Sequence, residues 1–283
     1  MIESALDVGG AVVFWTASEF TDRDKLKAGL VLLGLDQFVP DPRPPASVLK
    51  DALEEALGGA RVLVRPLADR DGFTVVQEER GKNANSYATA LTARVRNPDL
   101  LTIEYEPDDD RAVQVNRAFR RHSGRIPGVQ LSACLVKIVE FLGGTRLRPT
   151  GAVYWIPGPK LDEWALAARA VEAASDGKPS AVYLLRHRLD ADAVRAVRDA
   201  VVAEVQAASV RIAEEVTTGD LGGRALETRK QQARELRDKV LLYEDLLSVG
   251  LAELHRAIDV ADQAAATASL LLASQTTTSA LSI

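Results

Sequence analysis

The residues of this 283-residue chain that could do chemistry are few and scattered. Its three histidines, His122, His187 and His255, stand far apart, and none has a second His or a Cys at metal-ligand spacing. His187 lies between Arg186 and Arg188, which reads as a basic strand edge rather than a general base. The acidic run Asp108-Asp109-Asp110 could hold a cation, but its place just before a helical pattern suits a linker whose last member caps that helix. His122 and Ser123 are neighbours in sequence, which is not triad geometry, and no G-x-S-x-G elbow is present. The single cysteine, Cys134, falls in an apolar helical pattern, where a thiol is structural. Neither glycine-rich nucleotide fingerprint occurs, and Gly143-Gly144 leads into a strand rather than opening a helix, so it lacks the amides of an anion site. The sequence therefore predicts no catalytic residue, no metal and no cofactor.

Charge is the stronger signal. Between residues 110 and 150 eight basic residues face only Asp110 and Glu140, a local net charge of +6 in a chain whose total is −5. On a helical wheel Ala112, Val115 and Phe119 cluster on one side, and Arg117, Arg120 and Arg121 fall away from them. Arg125 follows, and Arg146 and Arg148 share strand parity in the segment TRLRP. Planar guanidinium groups suit phosphate. Arg117, Arg120, Arg121, Arg125, Arg146 and Arg148 thus form a candidate patch for nucleic acid or a protein partner. Reading of base edges is not supported. The helix QLSACLVKIVEFL offers only Gln130, Ser132, Lys137 and Glu140 as polar groups, and the earlier helix carries Asp51, Glu54 and Glu55, which repel phosphate. Any nucleic-acid contact would be independent of sequence. Otherwise the patch docks an acidic face, either of a partner or of residues 190–262, which carry ten basic and fifteen acidic side chains.

The elements that must position these residues follow from apolar spacing. AVVFWT (11–16) reads as a strand, and Leu26, Leu30 and Leu33 mark a helix over about 22–35. A second helix spans about 45–57, with Pro45 in its tolerated first turn and Gly58-Gly59 at its end. RVLVRPL and GFTVVQEE form a hairpin around ADRD, and YATALTARV and LLTIEY continue it as strands. Helices follow over about 110–122 and 129–142, Gly143-Gly144 stops the second, and TRLRP and AVYWIP make another hairpin. Tyr154 and Trp155 point to opposite strand faces. One belongs in the core and the other packs toward the 160–175 helix, which carries Trp164, or else offers a base-stacking or partner-docking surface. SAVYLLRHRL adds a strand.

Two stretches share one layout of helix, L-G-G-x-R, strand, turn and strand, with the glycine pairs after Leu57 and Leu142. This suggests an internal repeat. A helix pair followed by a hairpin resembles the winged helix-turn-helix in element order, over roughly 22–80 and 110–157. The stretch from Gly151 to Pro157 also resembles a G-x-V-Y-x-x-P core found in uncharacterised phage and bacterial proteins, a likeness that implies no activity.

The C-terminal third is of another kind. Val194, Val197, Val201, Val205, Ala208 and Ile212 step by three and four. Beyond TTGDLGG, a seven-residue repeat runs from Leu226 through Val240, Leu247 and Leu254 to Ala268. Its second seam passes through Leu236 and Tyr243, then resumes one position later at Leu251 and Ile258, which reads as the drift of a nearly straight helix. The expectation is a helical hairpin with unequal arms, about 190–216 and 224–273. Its uncovered stripe, Leu247, Leu251, Leu254 and Ile258, would join a second copy or a partner.

The fold class expected is α+β, with two winged-helix-like units followed by a long helical hairpin or coiled-coil arm. The divisions are 1–106, 107–189 and 190–274, with a flexible tail over 275–283. At 47% hydrophobic and 27% charged, the chain can bury real cores and is not globally a nucleic-acid or anionic-membrane binder. No membrane span and no signal-peptide pattern is evident, and one cysteine suits a reducing cytoplasm. The function expected is non-enzymatic binding and assembly, by sequence-independent nucleic-acid contact through the basic surface and self-association through the C-terminal helices. The alternative is a protein–protein scaffold or adaptor with no nucleic acid, and a distant third is an enzyme of unrecognised type.

Overall fold

The structure, a computed structural model, describes residues 9–59, 61–80, 85–97, 102–108, 110–148, 150–218 and 221–280. The chain divides into two compact units. One holds Ala17–Cys134 with Ala170–Ser180, and the other holds the chain up to Thr16, Leu135–Arg169 and everything from Ala181 onward. The divisions expected after residues 106 and 189 do not coincide with these. The reason is topological: a strand near the N-terminus pairs with strands beyond residue 150, and one core spans the expected first boundary.

In the unit built on Ala17–Cys134, α1 (Arg23–Val31) starts at Asp22, whose carboxylate accepts the Lys25 N–H at 3.0 Å. Helix α2 (Pro45–Leu57) has its proline where the missing N–H would have no partner. Strands β3 (Val62–Pro66), β4 (Gly72–Arg80), β5 (Asn85–Asn97) and β6 (Thr102–Glu106) form an antiparallel meander, as the strand pattern implied. A short pair, β2 (Thr21–Asp22) with β7 (Arg125–Ile126), stands apart from it. Helix α2 packs chiefly on α3 (Asp110–His122) rather than on α1. Val48, Leu49, Leu53, Val75, Leu91 and Phe119 bury one core between these two helices and the meander. The helix–helix–hairpin order is present, but its helices are shared across what the sequence suggested were two units. Asp110, expected to cap α3, is instead the first residue of that helix, and residue 109 lies outside the described residues.

The other unit is a sheet backed by helices. Its strand order is β10 (Ala181–His187), β1 (Gly10–Thr16), β9 (Tyr154–Pro157), β8 (Thr145–Arg146), antiparallel throughout. Trp155 and Tyr154 are both buried, on opposite faces. Trp155 joins Val201, Val240 and Tyr243 in a core with the C-terminal helices. Tyr154 stacks on Trp15, with ring centroids 5.3 Å apart, and Trp15 meets Trp164 of α5 (Leu161–Ala174). A Cβ on Gly10 would lie 2.3 Å from the Trp155 indole, so the large ring requires a glycine beneath it.

The C-terminal third is a bundle of three helices, α6 (Ala191–Thr218), α7 (Gly223–Leu247) and α8 (Ala252–Ala280). This corrects the unequal hairpin. Ser248 takes the left-handed conformation (φ 52°) and α7 stops there. Helix α8 then returns along both α6 and α7. The one-position seam shift between Tyr243 and Leu251 is thus the residue count of a turn, not helical drift. The stripe assigned to self-association is corrected with it. Leu247, Leu251, Leu254 and Ile258 are 6%, 4%, 0% and 0% exposed, and all four lie in the core that includes Val201 and Val205. The expected tail is helical through Ala280, and residues 281–283 lie outside the described residues.

Candidate binding groove

The turn after α4 (Gly128–Phe141) builds the groove. Gly144 N–H bonds back to Val139 O at 2.8 Å and Gly143 N–H to Glu140 O at 3.0 Å, with Gly143 at φ +73°. This paired ending, whose left-handed residue favours glycine, stops the helix and turns the chain into β8. The other glycine pair is not its equivalent, because Gly58 is extended. Three side chains fasten the turn to the bundle. Tyr243 Oη donates to Gly143 O at 3.0 Å. Lys239 Nζ donates to Gly144 O at 2.7 Å and to Glu204 at 2.6 Å. Thr145 Oγ1 donates to the second Glu204 oxygen, also at 2.6 Å. Burial, and then the Glu204 charge, push the Tyr243 hydroxyl well above its ordinary range, so it stays a donor.

Between this turn and α6 lies a groove of about 730 Å³. Helix α6 contributes Ala196, Ala200, Ala203 and Ala208, small side chains that leave the space open, together with Glu204 and Arg211. The facing wall carries Arg146, Leu147, Arg148 and Glu140. Arg146 donates to Tyr154 Oη at 3.0 Å, and its guanidinium carbon lies 5.4 Å from that ring's centroid. Arg148 Nε donates to the Thr150 carbonyl at 2.5 Å. Glu140 has an open flank, but protein packed around its carboxyl and the nearby Glu204 charge raise its pKa, against the opposing pull of Lys239, Arg146 and Lys137. Among the described residues no Ser, Cys or His lines the groove.

The six candidate arginines do not form one surface within one unit. Arg146 and Arg148 belong to the groove, and β8 is too short for both to share it as a strand face. Arg117, Arg120, Arg121 and Arg125 lie in the other unit. There Arg121 pairs with Glu55 at 2.5 Å. Arg125 pairs with Asp22, and with Asp176 at 2.8 Å. Arg117 and Arg120 are exposed on α3 and make no ion pair among the described residues.

Glu204, Lys239, Arg211 and the α6 alanines escaped the sequence reading. A signal existed. Ala196, Ala200 and Ala203 step by four and three beside the Val197, Val201 and Val205 seam, a second stripe made of small residues. Ala208, assigned to the seam, lines the groove, and Ser209 takes the buried position. Among the described residues no three His, Cys, Asp or Glu side chains gather into a cation-binding group, and no helix is long and apolar enough to cross a membrane.

Fold and groove together define an α+β protein in which a three-helix bundle and a short sheet frame an arginine-walled groove. The chain belongs to the family of unknown function DUF6744, which it matches over residues 7–277. No curated protein and no solved structure matches it.

Proposed function

We propose that this chain is a non-enzymatic adaptor that holds a partner protein through the groove beside α6. One observation carries the reading: an open groove of about 730 Å³ with mixed apolar and arginine walls, and no Ser, Cys or His among the described residues that line it. The buried Cys134 fits work in a reducing compartment. Self-association through Leu247, Leu251, Leu254 and Ile258 is not carried forward, because those side chains are core. The test is photo-cross-linking in cells, with a photoreactive residue at Asp199 on the groove and, as controls, at Leu241 and Val260 on exposed bundle faces outside it. Discrete adducts with another protein at Asp199 alone are expected. Absence of adducts there, or the same adducts at all three positions, overturns the reading.

A second reading, sequence-independent nucleic-acid contact, is favoured by Arg117 and Arg120, which are exposed and make no ion pair among the described residues. Its test is a low-salt gel shift with Arg117→Glu and Arg120→Glu. A shift that both changes abolish supports it, and no shift by the unmodified protein sinks it.

A further inference from the structure

We infer that the groove's occupant is an extended acidic peptide segment of the partner, its carboxylates taken by Arg146, Arg148 and Arg211. This rests on the adaptor reading and names the ligand of the same site.

Length comes first. The groove follows α6 from Ala196 to Arg211. Fifteen steps of about 1.5 Å give roughly 22 Å, the span of about seven residues of extended chain. Shape agrees with that. The α6 wall is alanine at four positions, so a peptide backbone can approach the helix closely.

Charge decides the class of occupant. Two of the three groove acids are already engaged: Glu204 by Lys239 and Thr145, and Asp199 by Arg198 at 3.3 Å. The arginines are not so engaged. Among the described residues none of the three has a carboxylate partner. Arg146 spends one of its five donors on Tyr154, and Arg148 spends one on the Thr150 carbonyl. Each is held in place with most of its donors unspent, so little order remains to be imposed when a carboxylate arrives.

Single-stranded nucleic acid fits less well. Base stacking needs an accessible aromatic face, and Tyr154, the groove's aromatic residue, is 3% exposed. A continuous line of phosphates would also run past Glu140, Asp199 and Glu204. Spaced carboxylates can meet the arginines and avoid these acids.

The experiment is fluorescence anisotropy with the full chain at about 50 mM salt. The probe is a labelled peptide of about ten residues alternating Asp and Gly. A Lys-Gly peptide and an oligothymidylate of similar length serve as controls, and circular dichroism checks the fold of each variant. Saturable binding of the Asp-Gly peptide alone is expected. Arg148→Glu and Arg211→Glu should each weaken it by about tenfold or more, and Ala203→Trp should block it. Glu140→Gln should tighten it severalfold by removing a repelling charge, a gain that damage to the fold would not give. No binding of the peptide, indifference to these changes, or equal binding of oligothymidylate overturns the inference. Cross-links at Asp199 without acidic-peptide binding would leave the adaptor reading standing and refute only this one.

Discussion

Lys239 Nζ lies 2.6 Å from Glu204 Oε1 and also reaches the Gly144 carbonyl, so one ammonium group ties α7 to α6 and to the turn after α4. The lysine side chain is only 10% exposed, and Glu204 is 35% exposed. Removing one partner leaves the other a poorly solvated charge. Lys239→Met should destabilise the protein by about 1–2 kcal/mol, discounted for the exposure of Glu204. Adding Glu204→Leu should restore part of that loss. Urea midpoints of the single and double variants check both statements.

The apolar repeat of α7 and α8 yields a prediction opposite to the one its sequence suggests. Leu254 and Ile258 are fully buried within one chain. Truncating either to alanine should cost about 2–5 kcal/mol. Urea denaturation measures this, and light scattering of the folded variants should show no change in molecular mass.

The α7–α8 turn has its own pH dependence. Glu244 accepts from His255 Nε2 at 2.9 Å and from the Leu251 N–H at 2.6 Å. These bonds, the histidine's first, hold its carboxyl below the usual glutamate range. A depressed pKa stabilises the fold above the unfolded value of about 4.3 and loses that contribution as pH falls through the folded value. Wild type should therefore be more stable than Glu244→Gln at neutral pH, with the gap closing below about pH 4.3. Urea midpoints across that range decide it; a gap that persists or widens in acid contradicts the prediction.

Glu140 should make groove occupancy depend on pH in the other sense. Burial and Glu204 raise its pKa, with Lys239, Arg146 and Lys137 opposing. Protonation removes a negative charge beside the arginines. Affinity for the acidic probe should rise as pH falls from neutrality toward that raised value, still above the probe's own carboxyl range near 3.9. Glu140→Gln should flatten the profile. A wild-type profile as flat as the variant's would exclude this role.

Local rules made much of the fold legible. Asp22 at a helix start, Pro45 in a first turn, the left-handed Gly143 and the strand alternation around Tyr154 and Trp155 are all governed by near neighbours. The turn at Ser248 was written in the sequence as a one-position seam shift, which periodicity alone cannot tell from drift. The division of the basic patch is hidden from the sequence for a different reason. A guanidinium's availability depends on partners far along the chain, and Asp176 stands 51 residues from the arginine it binds. The groove was hidden because it is made of what is missing. Alanines on α6 look like filler until a second wall faces them, and that wall is set by a turn about 60 residues earlier, which Thr145 and Glu204 join.

The place of β1 bears on how the chain comes to fold. It is the inner strand between β9 and β10, and Gly10 pairs with both Pro157 and His187. A ribosome releases β1 long before either neighbour exists, whereas the β3–β6 meander can close as it emerges. Strand β1 must wait with both hydrogen-bonding edges bare, so slow or stalled synthesis between these segments is where misassembly of this protein would begin.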